Sequence, residues 1–428
     1  MVPHTGPLLV LLPGLGAVAT TFLAGVEAIR QGRVRPIGAF SQLGRIPLQE
    51  DGGEQPVPEV LPLAPLEALH FAAWDIFPDD AYEAARAAGV LQKQDLHALR
   101  DFLRQIRPMK AVFDRQYVRK LDGPHVKQGR TKRELAEALR EDIRQAKAAI
   151  GAERAVMVWC ASTEVHLELA PCHRSLRAFE QGLERNDPAI APSQIYAYAA
   201  LQEGIPYANA TPNRAADIPA LEELAELKGV PIAGKDLKTG QTLLKTVLAP
   251  ALRMRLLGVQ GWFSVNILGN RDGWVLDDEG SFRSKEATKS EVLDGILSPQ
   301  LYPELYGELY HKVRIHYYPP RGDAKESWDV VDLVGWMGYP MQLRVNFSCR
   351  DSILAAPLVL DLVLFLDLAA RAGWRGPQSW LSFYFKSPHV RPGEPVHHAL
   401  AEQYQMLCRA LQGLALRWRA AQQTLPQA

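Results

Sequence analysis

Four lysines stand where an amine can do more than solubilise a surface. Lys285 and Lys289 lie four apart in FRSKEATKSE, so on a helix they share one face, where mutual repulsion disfavours protonating both. A neutral amine near pH 7 can act as a base, and an ammonium can steady a developing enolate or alkoxide. The competing reading is a solvated helix face with Glu286 and Glu291 as partners. Lys325 follows Arg321-Gly322-Asp323-Ala324, in a turn after a strand. Lys386 closes a β-like apolar run, residues 381–385, so it must point into a cleft or toward solvent. Asp351 precedes an apolar helix at an N-cap position, where capping and chemistry are compatible.

A second group of residues could bind a nucleotide. Gly14, Gly16 and Ala19, with Ala17 between them, match G-x-G-x-x-(G/A), a pattern that lets the backbone approach a pyrophosphate at a helix N-terminus. Alone this is equally the pattern of a structural turn. Here it follows the apolar run 8–12 and opens a helical pattern through Val18, Phe22, Val26 and Ile29, the context a dinucleotide site requires. The second strand, expected at residues 34–40, has no Asp or Glu near Ser41 to accept ribose hydroxyls, and Arg45 permits a 2′-phosphate. Asp75, ending a third strand over residues 69–76, can hold the adenosine side instead, or can cap a helix.

The elements that must position these groups alternate. Helices are expected at residues 79–88, 132–150, 188–201 and 216–227, with a strand at 155–159. This rhythm predicts an α/β fold, a Rossmann-type doubly wound parallel sheet. After about residue 240, strands at 259–268, 313–318 and 341–349 predict an inserted α+β domain. The expected division is 1–238, completed by 358–428, and 239–357. The tail, 394–422, reads as one long amphipathic helix.

Composition excludes several functions. The 48 basic and 48 acidic residues of this 428-residue chain cancel without long runs of one sign, which argues against nucleic acid as a partner. Cys160, Cys172, Cys349 and Cys408 form no CxxC pair and suit a reducing cytoplasm. The N-terminal apolar run is too short for a signal peptide. Residues 353–370 are apolar but carry Asp361 and Asp367, so they read as a buried helix and no membrane is implied. No His or carboxylate spacing demands a metal.

In order along the chain, GLGAVATTFLAGVEA, WDIFPDDAYEAA, VWCASTE, NATPN, AGKDLKTGQTLLK, NILGNRDG, FRSKEATKSEV, RGDAKESWD, RDSILAAPLVLDL and LSFYFKSP together resemble the myo-inositol-1-phosphate synthase family, closest to its bacterial and archaeal members. The resemblance implies an NAD site using Gly14, Gly16, Asp75, Ala161, Thr163, Asp236, Gly322, Asp323, Asp351 and Ser352. It implies a substrate side using Asn270, Asp272, Lys285, Lys289, Lys325 and Lys386. The implied substrate is glucose 6-phosphate, oxidised at C5, enolised, closed by attack of C6 on C1, and reduced again, with no net redox. A divalent or monovalent cation and a homotetramer built through the α+β domain are also implied. The sequence departs from the eukaryotic pattern at GLGAVAT, WCASTE, NATPN and Arg271. Competing readings are an NAD(P)-dependent sugar-phosphate dehydrogenase, a cyclase making another cyclitol phosphate, and a cofactor-binding scaffold.

Overall fold

The structure, a computed structural model, describes residues 3–48 and 53–423, leaving aside the side chains of residues 282 and 284–291. The chain opens with β1 (Leu8–Pro13), all six residues buried, as a strand covered on both faces requires. The glycine turn leads into α1 (Ala17–Arg30). The next strand of this sheet is β2 (Leu69–Asp75), which pairs in parallel with β1 from Leu8↔Leu69 onward. It is followed by α2 (Ala81–Ala88), capped by the Asp80 side chain on the Glu83 N–H, and by β3 (Met109–Lys110). Then come α3 (Lys132–Ile150), β4 (Arg154–Trp159), α4 (Pro192–Gln202), β5 (Tyr207–Asn209), α5 (Pro219–Lys228) and β6 (Pro231–Ala233).

The expected strand at 34–40 does not form. Pro36 lacks an N–H, Gly38 sits at φ 90, and the Asp361 carboxylate accepts the Phe40 and Ser41 N–H groups at 2.8 Å each. These bonds start a helical turn, Phe40–Leu43, instead.

The later half contains α6 (Gln241–Met254), β7 (Gly258–Leu268), α7 (Arg271–Leu276), α8 (Glu279–Leu297), β8 (Tyr310–Tyr317), β9 (Ala324–Val334), β10 (Pro340–Arg350), α9 (Asp351–Arg371), β11 (Gly376–Pro377) and α10 (Leu400–Gln423). The tail helix starts later than expected because Pro395 cannot sustain it. Residues 381–385 are a 3₁₀ helix, Ser379–Tyr384, with Phe385 bridged to Leu237, and not a strand. β9 escaped the sequence reading because Asp329 and Asp332 interrupt its apolar pattern.

Two sheets result. One has the order β11-β6-β5-β4-β1-β2-β3, with every neighbouring pair parallel. Strand order reverses between β1 and β4, and in such sheets the ligand crevice opens there, beyond the strands' carboxyl ends. The other has the order β8-β7-β9-β10, with β8 parallel to β7 and the rest antiparallel. On one face of this sheet Trp262, Val331 and Leu333 join Val292, Leu293 and Ile296 of α8 in a core. On the other face Phe263 and Trp328 are 42% and 44% exposed.

α9 joins the two sheets. By length and composition it could cross a bilayer, with a window of mean hydropathy 2.3, but 67% of that window is buried inside the protein. Its two mid-helix carboxylates are satisfied there. Asp367 accepts from Arg154 and, at 2.9 Å, from Arg371. Asp361 accepts two backbone N–H groups and the Tyr384 hydroxyl at 3.1 Å. Burial pushes the Asp361 carboxyl up to about 6. Asp361→Ala should therefore strand three buried donors and cost about 3 kcal/mol, read as a lower urea midpoint with unchanged m-value.

Candidate active site

Where β1, β2, β4 and β5 end, loops from both sheets enclose a cleft of about 480 Å³. On one wall Gly14 sits at φ 90, and a Cβ there would stand 2.4 Å from the Cα of Ala161, so only glycine lets the two loops approach. The Leu15 N–H donates to Asp75 Oδ2 at 2.7 Å and the Phe77 N–H to Asp75 Oδ1 at 3.0 Å. Burial raises the Asp75 carboxyl, against the pull of these two N–H groups and of the Arg271 charge. Gly16 is the N-cap of α1 and has no capping side chain, so the first-turn N–H groups and the helix dipole are left for an anion. Gly16 and Ala17 line the cleft. Ala19 is fully buried in the core and serves helix packing.

The absence of an acid near Ser41 is explained by the topology. That segment is not the second strand of the sheet; β2 is, and Asp75 stands at its end. Beside Asp75 opens an apolar side pocket of about 100 Å³, lined by Trp74, Ile76, Phe77, Val112, Trp159 and Tyr196. Arg271 borders both spaces, its guanidinium 4.8 Å from the Phe77 ring centre.

The opposite wall holds two lysine–carboxylate pairs. Lys386, 6% exposed, donates to Asp236 Oδ1 at 2.9 Å. Its backbone N–H also donates to the Asp236 carbonyl at 2.7 Å, so both chains are fixed together. Lys325 donates to Asp351 Oδ2 at 2.6 Å, and the Thr239 hydroxyl donates to Asp351 Oδ1 at 3.0 Å. Lys325 is the second residue of β9, opposite Cys349, not in a turn. Asp351 is the first residue of α9 and not its cap; Arg350 occupies that position. Both Asp351 oxygens are occupied by side-chain donors.

A third group closes the cleft. Asn270 caps α7 through the Gly273 N–H and donates to Asp323 Oδ1 at 3.0 Å. Ser352 donates to the same oxygen at 3.2 Å. Gly322, at φ 53, allows the turn that presents Asp323. The other Asp323 oxygen is buried without a hydrogen-bond partner among the described residues, and burial raises this carboxyl. Ala161, Thr163 and Asp272 also line the cleft. Lys285 and Lys289 fall on α8, and their side chains lie outside the described residues.

Of the sequence-selected residues, Gly16, Ala17, Asp75, Ala161, Thr163, Asp236, Asn270, Asp272, Gly322, Asp323, Asp351, Ser352 and Lys386 share this one cleft. Gly14 borders the side pocket, and Lys325 joins through Asp351. Thr239, which holds Asp351, was not singled out, nor was Lys238 beside it. Their only sequence signal was membership of the polar run GKDLKTGQ. The arrangement can bind a dinucleotide at α1 and set ammonium groups against oxygen atoms that gain negative charge.

Comparison with known proteins agrees. A family model described as myo-inositol-1-phosphate synthase matches residues 8–412. The chain is 52% identical over 415 residues to inositol-3-phosphate synthase 1 of Bacteroides thetaiotaomicron, covering 96% of each. It is 32% identical to inositol-3-phosphate synthase 1 of Oryza sativa subsp. japonica, covering 97% of this chain and 87% of that one. The crystal structure of inositol-3-phosphate synthase from Caenorhabditis elegans superposes with a TM-score of 0.90 at 28% identity, covering 97% of this chain and 87% of that one. A related protein of Thermotoga maritima, at 24% identity and TM-score 0.73, shares the fold.

Gly14→Ala should place a methyl into the Ala161 backbone at a strained φ, at a cost of about 1–3 kcal/mol. Titration of the variant with NAD should show affinity at least about tenfold weaker, because the displaced loop carries the N-terminus of α1.

Proposed function

The chain belongs to the myo-inositol-1-phosphate synthase family, and on that premise we propose that it is an NAD-dependent isomerase converting D-glucose 6-phosphate to 1D-myo-inositol 3-phosphate. The observation that carries this reading is the convergence of two lysine–carboxylate pairs, Lys325–Asp351 and Lys386–Asp236, beside a dinucleotide-binding helix terminus.

The residues present fit NAD. The uncapped α1 terminus with Gly14, Gly16 and Ala17 suits the diphosphate, Asp75 the adenosine ribose, and the apolar side pocket the adenine. Ala161, Thr163, Asp236, Gly322, Asp323 and Ser352 would hold the nicotinamide half, with the orphaned Asp323 oxygen as an acceptor for a carboxamide. The dinucleotide supplies reversible hydride exchange with C5 of the sugar.

The chain's own groups supply the rest. A ketone at C5 acidifies the C6 protons, so the enzyme must hold an enolate and then the alkoxide formed when C6 attacks C1. Lys325 and Lys386 hold the C5 and C1 oxygens, where an ammonium already in place stabilises charge as it develops. Asp351 and Asp236 keep those amines aimed. Asn270 and Asp272 stand on the substrate side of the cleft, and Lys285 and Lys289 serve proton transfer and phosphate neutralisation. The nicotinamide, C5 and the lysines must share one small volume, which the cleft at the switch between β1 and β4 provides.

Three further features complete the proposal. The exposed face around Phe263 and Trp328 is the surface through which four copies assemble, since these two aromatic side chains stand open to solvent on it. The protein works in a reducing cytoplasm, where its four cysteines stay free. A divalent or monovalent cation would assist near the phosphate; among the described residues no cluster of three His, Cys, Asp or Glu side chains could hold a metal ion.

Purified protein with glucose 6-phosphate and catalytic NAD should yield inositol phosphate by phosphorus and proton NMR without accumulating NADH; stoichiometric NADH would favour a dehydrogenase. Lys325→Ala and Lys386→Ala should each lower turnover by about 10³-fold, and near-normal rates in both would refute their assignment. Phe263→Ala combined with Trp328→Ala should convert the tetramer into smaller species in light scattering, since these two rings are the exposed aromatic area on that face.

A further inference from the structure

Asp236 and Asp351, the carboxylates that hold Lys386 and Lys325, are connected through the short strap 236–239, because Thr239 donates to Asp351. Three backbone bonds fix the strap from below: Asp236 N–H to Thr211, Leu237 N–H to Ala210 and Lys238 N–H to Tyr384. In its middle, Lys238 turns away from the cleft. It is 4% exposed, and its ammonium donates to the side-chain oxygen of Gln403, in the first turn of α10.

This is an unusual setting for a lysine. Among the described residues its partners are a neutral amide oxygen and the Phe383 ring, 5.8 Å away, whereas buried ammonium groups are ordinarily paired with carboxylates. Burial accordingly brings the amine down to about 7. Gln403 is held in turn, its amide N–H donating to the His397 carbonyl at 2.7 Å, so its oxygen faces Lys238. The adjacent His398 packs against α8, where a Cβ on Gly295 would stand 2.5 Å from the ring. The start of α10 thus touches both the strap and the helix that bears Lys285 and Lys289.

We infer that Lys238, anchored by Gln403, is a positioning residue whose hydrogen bond sets the strap 236–239 and thereby the spacing of the two lysine–carboxylate pairs across the cleft. An apolar pair of similar volume would hold α10 about as firmly. What it would lose is direction: the backbone bond to Tyr384 holds the strap's third residue from one side, only the side-chain bond to Gln403 ties it to α10, and an error of about 1 Å in catalytic groups can cost about a hundredfold in rate.

This inference rests on the cyclase reading, and its test separates the two. Lys238→Met, Gln403→Leu and the double variant are compared with wild type, with kcat for glucose 6-phosphate referred to sites titrated with NAD, so that unfolded protein drops out. Amide exchange at Asp236, Leu237 and Lys238 is followed without substrate. The singles should melt below wild type and the double should regain most of that loss, while kcat in all three falls about tenfold or more and the three amides exchange faster. Unchanged exchange, a double variant with wild-type kcat, or no variant with a titratable NAD site would each overturn the inference. Absence of inositol phosphate from the wild type would instead defeat the cyclase reading, leaving the exchange experiment to decide this one.

Discussion

Two ammonium groups brought to the wall of one cleft repel each other, and much of this architecture follows from how that repulsion is managed. Each lysine has its own carboxylate. Lys386 and Asp236 lie on segments that bridge by backbone hydrogen bonds, whereas Lys325 comes from the second sheet and Asp351 from the helix leaving it. The charges stay separate because different elements carry them, and they stay close because residues 236–239 link the carboxylates. Thr239 extends the arrangement by donating to the second Asp351 oxygen.

The dinucleotide side is built by a different economy. Nothing on α1 carries charge toward the cleft: the helix has no acidic residue in its first turn and no capping side chain. The anion site consists of backbone N–H groups, held by the close approach of Gly14 to Ala161 and by the Asp75 carboxylate on the Leu15 N–H. Asp75 thus shapes the glycine turn as well as standing beside the apolar side pocket, which ties the glycine loop to the end of the neighbouring strand.

The sheet that carries this turn was legible because parallel strands buried on both faces read as uninterrupted apolar runs, as in 8–12 and 155–159. Helices with polar outer faces, such as Lys132–Ile150, announced themselves by period. The failures have local causes. Residues 34–40 are apolar enough for a strand, but their backbone is captured by Asp361, more than 300 positions away in sequence. Asp329 hid β9 because its carboxylate is buried against Trp262 and Ser264, a satisfied polar group in a core position that pattern reading scores as surface. Most of the cleft residues could be chosen from motif order and residue type. The roles of Thr239 and Lys238 could not, because each is defined by a partner over a hundred residues distant.

The last strand of the parallel sheet has a consequence for synthesis. β11 pairs with β6, Pro377 opposite Ile232, yet the whole of the second sheet is made between them. A nascent chain that has emerged only as far as β6 presents an edge with unpaired N–H and C=O groups, a template for association with other chains. α9, whose apolar surface is finally covered by α1 and β4, emerges before β11 does. On the ribosome, the first-made sheet must therefore wait for the last-made strand, so this protein should depend on chaperone protection late in translation, and C-terminal truncations should precipitate rather than yield a folded nucleotide-binding fragment.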